Sequence, residues 1–77
     1  MAIPREEVIN RLRRAGFTFN RRAPRVELWR KKGAVIFVDV PLRDFLSETS
    51  VRAILFQAKL TVAEVNEFLK AATKKEC

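Results

Sequence analysis

The chain predicts an α+β fold of two layers in the order α-β-β-β-α(-α): a three-stranded antiparallel sheet with its helices on one face. Three observations predict it. Apolar residues recur at helical spacing near both ends of the chain, they alternate with polar ones between, and Pro and Gly interrupt the alternating part at short intervals. Strands joined by short turns run antiparallel, and helices gathered on one face of such a sheet close a two-layer domain. With 77 residues and 48% hydrophobic side chains there is material for one core, so residues 1–77 read as one small domain.

Taken in order, Pro4 suits a first helical position, and Glu6 and Glu7 suit the positive end of a helix. Val8, Ile9, Leu12 and Ala15 make the buried stripe, Arg11, Arg13 and Arg14 the opposite face, and Gly16 the stop. Residues 17–20 alternate as a first strand, and residues 21–25 break it with Pro24. Residues 26–30 alternate again, Lys31-Lys32-Gly33 reads as a hairpin turn, and residues 34–40 form a β-branched third strand ended by Pro41. Residues 42–46 read as a loop anchored by Leu42, Phe45 and Leu46. Ser47 or Thr49 caps a second helix carried by Val51, Ile54, Leu55 and Ala58, with Phe56 off the stripe. Lys59-Leu60 makes a tight corner. Thr61 and Glu64 form a capping box, and Val62, Val65, Phe68, Leu69 and Ala72 carry a third helix before a frayed tail at 73–77. Strand parity predicts that Val26 and Leu28 face the helices with Ile36, Val38 and Val40. Glu27, Trp29, Val35, Phe37 and Asp39 then face outward.

Charge is unevenly placed. Residues 1–32 hold ten bases and three acids, whereas residues 33–77 hold six of each, so the net +7 sits in the first part of the chain. A clustered positive field of this kind favours a polyanion and releases its counterions. Arg11, Arg13 and Arg14 on the first helix, Arg21, Arg22 and Arg25 at the first strand turn, and Arg30, Lys31 and Lys32 at the second are the candidate phosphate contacts. With no His, the commonest general base at neutral pH is missing. No metal-ligand spacing, phosphate-cradling Gly loop or Ser nucleophile arrangement occurs, so neither metal nor cofactor is expected. The lone Cys77 fits a reducing compartment. No apolar run approaches the roughly 20 residues of a membrane span, which predicts a cytoplasmic protein with no membrane contact.

The stretches Glu7-Val8-Ile9-Asn10-Arg11-Leu12, Ala15-Gly16-Phe17, Val38-Asp39-Val40-Pro41 and Arg52-Ala53-Ile54-Leu55-Phe56-Gln57-Ala58-Lys59-Leu60 resemble the HicA toxins, small mRNA interferases of toxin–antitoxin pairs. The likeness spans about residues 4–69. It implies a fold like that of double-stranded-RNA-binding domains, RNA as substrate and a HicB-like antitoxin as partner. Family members carry Gly-Ser-x-His at the start of the second strand, where His is catalytic. Here those positions read Pro24-Arg25-Val26-Glu27, so Glu27 stands in the His place, and Lys59 replaces a helix-ending Gly. The departure implies an RNA-binding protein whose nuclease activity is lost or altered. Two alternatives stay open. Glu27 could itself be the catalytic base of a ribonuclease, although neighbouring Arg cations lower a carboxylate's pKa and weaken it as a base. The domain could instead serve as a protein-interaction module, with an acidic partner drawn by the basic surface. Trp29 and Phe37 on the open face would then be partner contacts, whether to a second protein or in a homodimer.

Overall fold

The computed structural model describes residues 2–74, and side chains through residue 72. The element order is β1 (Ala2–Pro4), α1 (Arg5–Arg14), β2 (Phe17–Arg22), β3 (Val26–Lys31), β4 (Phe37–Pro41), β5 (Phe45–Ser47), α2 (Glu48–Gln57) and α3 (Val62–Lys74). The predicted α+β class holds. β2, β3 and β4 form a three-stranded antiparallel sheet in that order, and the helices cover one of its faces. Val8 and Leu12 of α1, Val51 and Leu55 of α2 and Val65 of α3 join Phe17, Val38 and Val40 of the sheet in one core.

The local signals act as their chemistry requires. Gly16 ends α1 at φ 95°, in the left-handed region open to glycine. The Ser47 hydroxyl accepts from the Ser50 N–H at 3.2 Å and caps α2. At α3 the capping box closes in both directions: Glu64 N–H donates to the Thr61 hydroxyl at 3.2 Å, and Thr61 N–H to the Glu64 carboxylate at 2.9 Å. The α2–α3 corner is a Schellman turn, with Leu60 N–H donating to Leu55 O and Lys59 N–H to Phe56 O. Lys59 takes its left-handed position at φ 67°.

Four expectations are corrected. Residues 42–46 are not all loop: Phe45–Ser47 is β5, paired antiparallel with β1, so that buried Ile3 meets buried Leu46. Of the three expected anchors there, Leu42 and Phe45 are exposed. The third sheet strand starts at Phe37 rather than 34, because residues 32–36 form a longer turn than the sequence suggested. Of the tail expected at 73–77, Thr73 and Lys74 belong to α3 instead; residues 75–77, Cys77 among them, lie outside the described residues.

The fourth correction concerns the faces of β3. Partners across an antiparallel ladder share a face. The register pairs Trp29 with Val38 and Glu27 with Val40, so odd positions of β3 match even positions of β4. Glu27 and Trp29 therefore face the helices, at 7% and 3% exposure, while Val26 and Leu28 are half-buried on the open face with Phe37 and Asp39. The expected parity matched even with even. Burying the indole, worth far more apolar area than a Leu side chain, favours the observed choice, provided the neighbouring carboxylate finds partners.

Candidate functional site

Glu27 finds those partners on three elements. Arg5, at the first turn of α1, pairs with its Oε1 and also donates from Nε to the Pro41 carbonyl at 2.8 Å. Arg22 reaches Oε2 at 3.1 Å, and the Trp29 indole N–H lies 3.4 Å from Oε1. A β-bulge makes the Arg22 contact possible. The β2–β3 register slips between Phe19 and Arg21, which sets Arg22 rather than Arg21 opposite Glu27. Burial pushes the Glu27 pKa up, but hydrogen bonds from Arg22 and Arg5 and the Arg5 charge outweigh it and hold the carboxyl below its ordinary 4.5. A carboxylate so paired is a weak proton acceptor. Sequence reasoning missed Arg5 as its main partner; only the β3 parity would have pointed from one to the other.

Trp29 is a core residue and offers no outward contact surface. Phe19 meets it edge-on with ring centroids 6.0 Å apart, and the Arg13 guanidinium lies 5.4 Å from its ring centroid. Of the two aromatic contact residues expected on the open face, only Phe37 is there, 42% exposed and with Arg30 5.8 Å from its ring centroid.

The nine candidate phosphate contacts do not form one surface. Arg11 pairs with Glu64 of α3 at 3.2 Å, Arg13 covers Trp29 and Arg22 holds Glu27. Arg30 lies on the open sheet face with Arg21, which stands opposite Leu28. Arg25 sits at the start of β3, and Lys31 at its other end. At roughly 3.3 Å per residue, that strand separates the two regions by nearly 20 Å.

One group does converge. Arg14 at the end of α1, Lys31 at the end of β3 and Lys59 at the α2–α3 corner line a shallow concavity of about 250 Å³ with Arg11 and Glu64. Lys32 follows Lys31 in the turn, and its amide donates to the Gly16 carbonyl at 3.1 Å. Among the described residues Arg14, Lys31, Lys32 and Lys59 have no side-chain hydrogen bond or ion pair. Glu64 is the one acid lining it among the described residues; hydrogen bonding to the Thr61 N–H and hydroxyl, then Arg11, holds its pKa below the ordinary 4.5. Lys59 was noted in the sequence only as a departure at a helix end, and its place in this cluster depends on the fold of the corner.

No helix among the described residues is long and apolar enough to cross a membrane, and no three His, Cys, Asp or Glu side chains among them gather as a metal site. In comparisons with known proteins, no family model matches the chain and no curated protein matches it.

Proposed function

We propose that this domain is a cytoplasmic RNA-binding protein of HicA-like descent that has given up the nuclease chemistry. The observation that carries the reading is the convergence of Arg14, Lys31 and Lys59, three cations without a side-chain partner among the described residues, around one concavity. Cations fixed on separate elements match phosphates spaced along a backbone, and contacts of this kind recognise RNA by shape and charge more than by sequence. The backbone of Lys59 supports the reading. It holds a left-handed conformation that suits glycine, at a cost of about 1 kcal/mol, while its ammonium is delivered to the cluster.

The loss of nuclease chemistry rests on Glu27. A general base must reach the 2′-hydroxyl with a free lone pair, and this carboxylate is buried and committed to Arg5 and Arg22.

The test is the affinity for a short RNA hairpin measured across a salt series. Wild type should bind with a steep salt dependence. The variant Arg14→Ala/Lys31→Ala/Lys59→Ala should bind more weakly, with a log–log slope reduced by about two to three. Absence of RNA binding by wild type at about 50 mM salt, or an unchanged slope in the variant, would refute the reading.

A further inference from the structure

A second site lies at the opposite end of β3. A groove of about 690 Å³ runs between the β2–β3 turn, the end of β4 and the start of α2. Arg25 and Arg43 both line it, and no carboxylate does among the described residues. Neither guanidinium has a hydrogen-bond or ion-pair partner among the described residues. This sets them apart from Arg5, Arg11, Arg13 and Arg22, each held by a partner within the domain.

Beside these cations the groove also exposes apolar side chains. Phe45 is 59% exposed and Leu42 36%, beside Pro24, Val26 and Pro41. Its lips are fixed. Leu42 N–H donates to the Arg25 carbonyl at 3.1 Å, Arg5 N–H to the Asp44 carbonyl at 2.9 Å, and Pro24 and Pro41 restrict the backbone next to Arg25 and Leu42. Ser47 and Ser50 bond each other at 3.0 Å and so shape the groove rather than supply its charge. A preformed groove loses little entropy on binding, and its volume falls within the roughly 300–1,000 Å³ of ligand sites.

We propose that this groove docks a short acidic peptide segment, with Arg25 and Arg43 forking its carboxylates and Leu42 and Phe45 receiving an apolar side chain. Planar guanidiniums suit carboxylates bidentately. A nucleic acid strand fits less well, because successive bases need successive aromatic platforms, and Phe45 is the one aromatic side chain lining this groove among the described residues. The proposal is independent of RNA binding, which uses the other end of the sheet.

The experiment is an NMR titration of the ¹⁵N-labelled domain with acetyl-Glu-Glu-Leu-Phe-Glu-Glu-amide, its all-Gln counterpart and hexauridylate. The acidic peptide should shift the amides of Arg25, Val26, Leu42 and Arg43. The Gln peptide should bind at least about tenfold more weakly, as should the acidic peptide to Arg25→Ala/Arg43→Ala, whose altered side chains are exposed. Hexauridylate should leave the groove amides in place, whether or not it moves those of Arg14, Lys31 and Lys59. The proposal is overturned if millimolar acidic peptide moves no groove amide, if the Gln peptide binds equally well, or if hexauridylate shifts the groove amides more than the peptide does.

Discussion

Replacing Glu27 by glutamine should cost about 2 kcal/mol at neutral pH, because Arg5 loses its counter-charge in a largely enclosed place. The Arg22 half of the network should matter much less, about 0–1 kcal/mol, since that side chain is 67% exposed. The sign of the pH dependence follows from a carboxyl held below its ordinary value in the folded state. Its contribution is complete well above the unfolded carboxyl's ordinary 4.5 and disappears as the pH falls through the lower folded value. Urea unfolding followed from neutral to acid pH should therefore show a loss in wild type that is reduced in Glu27→Gln. Lys59→Gly should act oppositely on two properties. It should stabilise by about 1 kcal/mol, a rise in Tm of about 4–8 °C, by relieving the left-handed lysine. The same change should weaken RNA binding and lower its salt slope by about one, if the concavity is the phosphate site.

At the scale of elements, the α3 capping box is the simplest target. Thr61→Ala should cost about 1 kcal/mol, read as a lower thermal midpoint, and Glu64→Ala combined with it should cost less than the two single effects added together. This box was legible in the sequence because capping is a local contract between residues three apart. The three helices, the glycine stop at Gly16 and the antiparallel meander were legible for the same reason. The β1–β5 pair was not. Each strand has three residues, too few for a period to show, and their match joins positions more than forty apart. The face of β3 was not legible either, because a turn of undetermined length decides which parity meets which. That single ambiguity hid the site chemistry too. With Glu27 and Trp29 turned inward, one expected catalytic group becomes an ion-pair anchor and one expected contact residue joins the core. The bulge that brings Arg22 onto Glu27 leaves no clear mark in Phe19-Asn20-Arg21.

For the molecule as a whole, the surplus charge in residues 1–32 suggested one continuous cationic surface. Folding instead holds much of it within the domain and leaves accessible cations at both ends of β3. A nuclease assay addresses the domain as a unit. Wild type should not cleave RNA, and cleavage lost in Glu27→Gln would reverse that conclusion. Glu27→His alone should not restore an active centre either, because Arg5 and Arg22 would disfavour a protonated imidazole in the same enclosed place.

The pairing of β1 with β5 also has a consequence in time. Ala2–Pro4 has no ladder to join until Phe45–Ser47 is available, and bringing ends so distant together carries a closure entropy of about 3 kcal/mol. On the ribosome this leading segment waits until most of the domain has emerged. In pulse-labelling hydrogen exchange during refolding, the amide of Ile3 should acquire protection later than those of the β2–β3 hairpin.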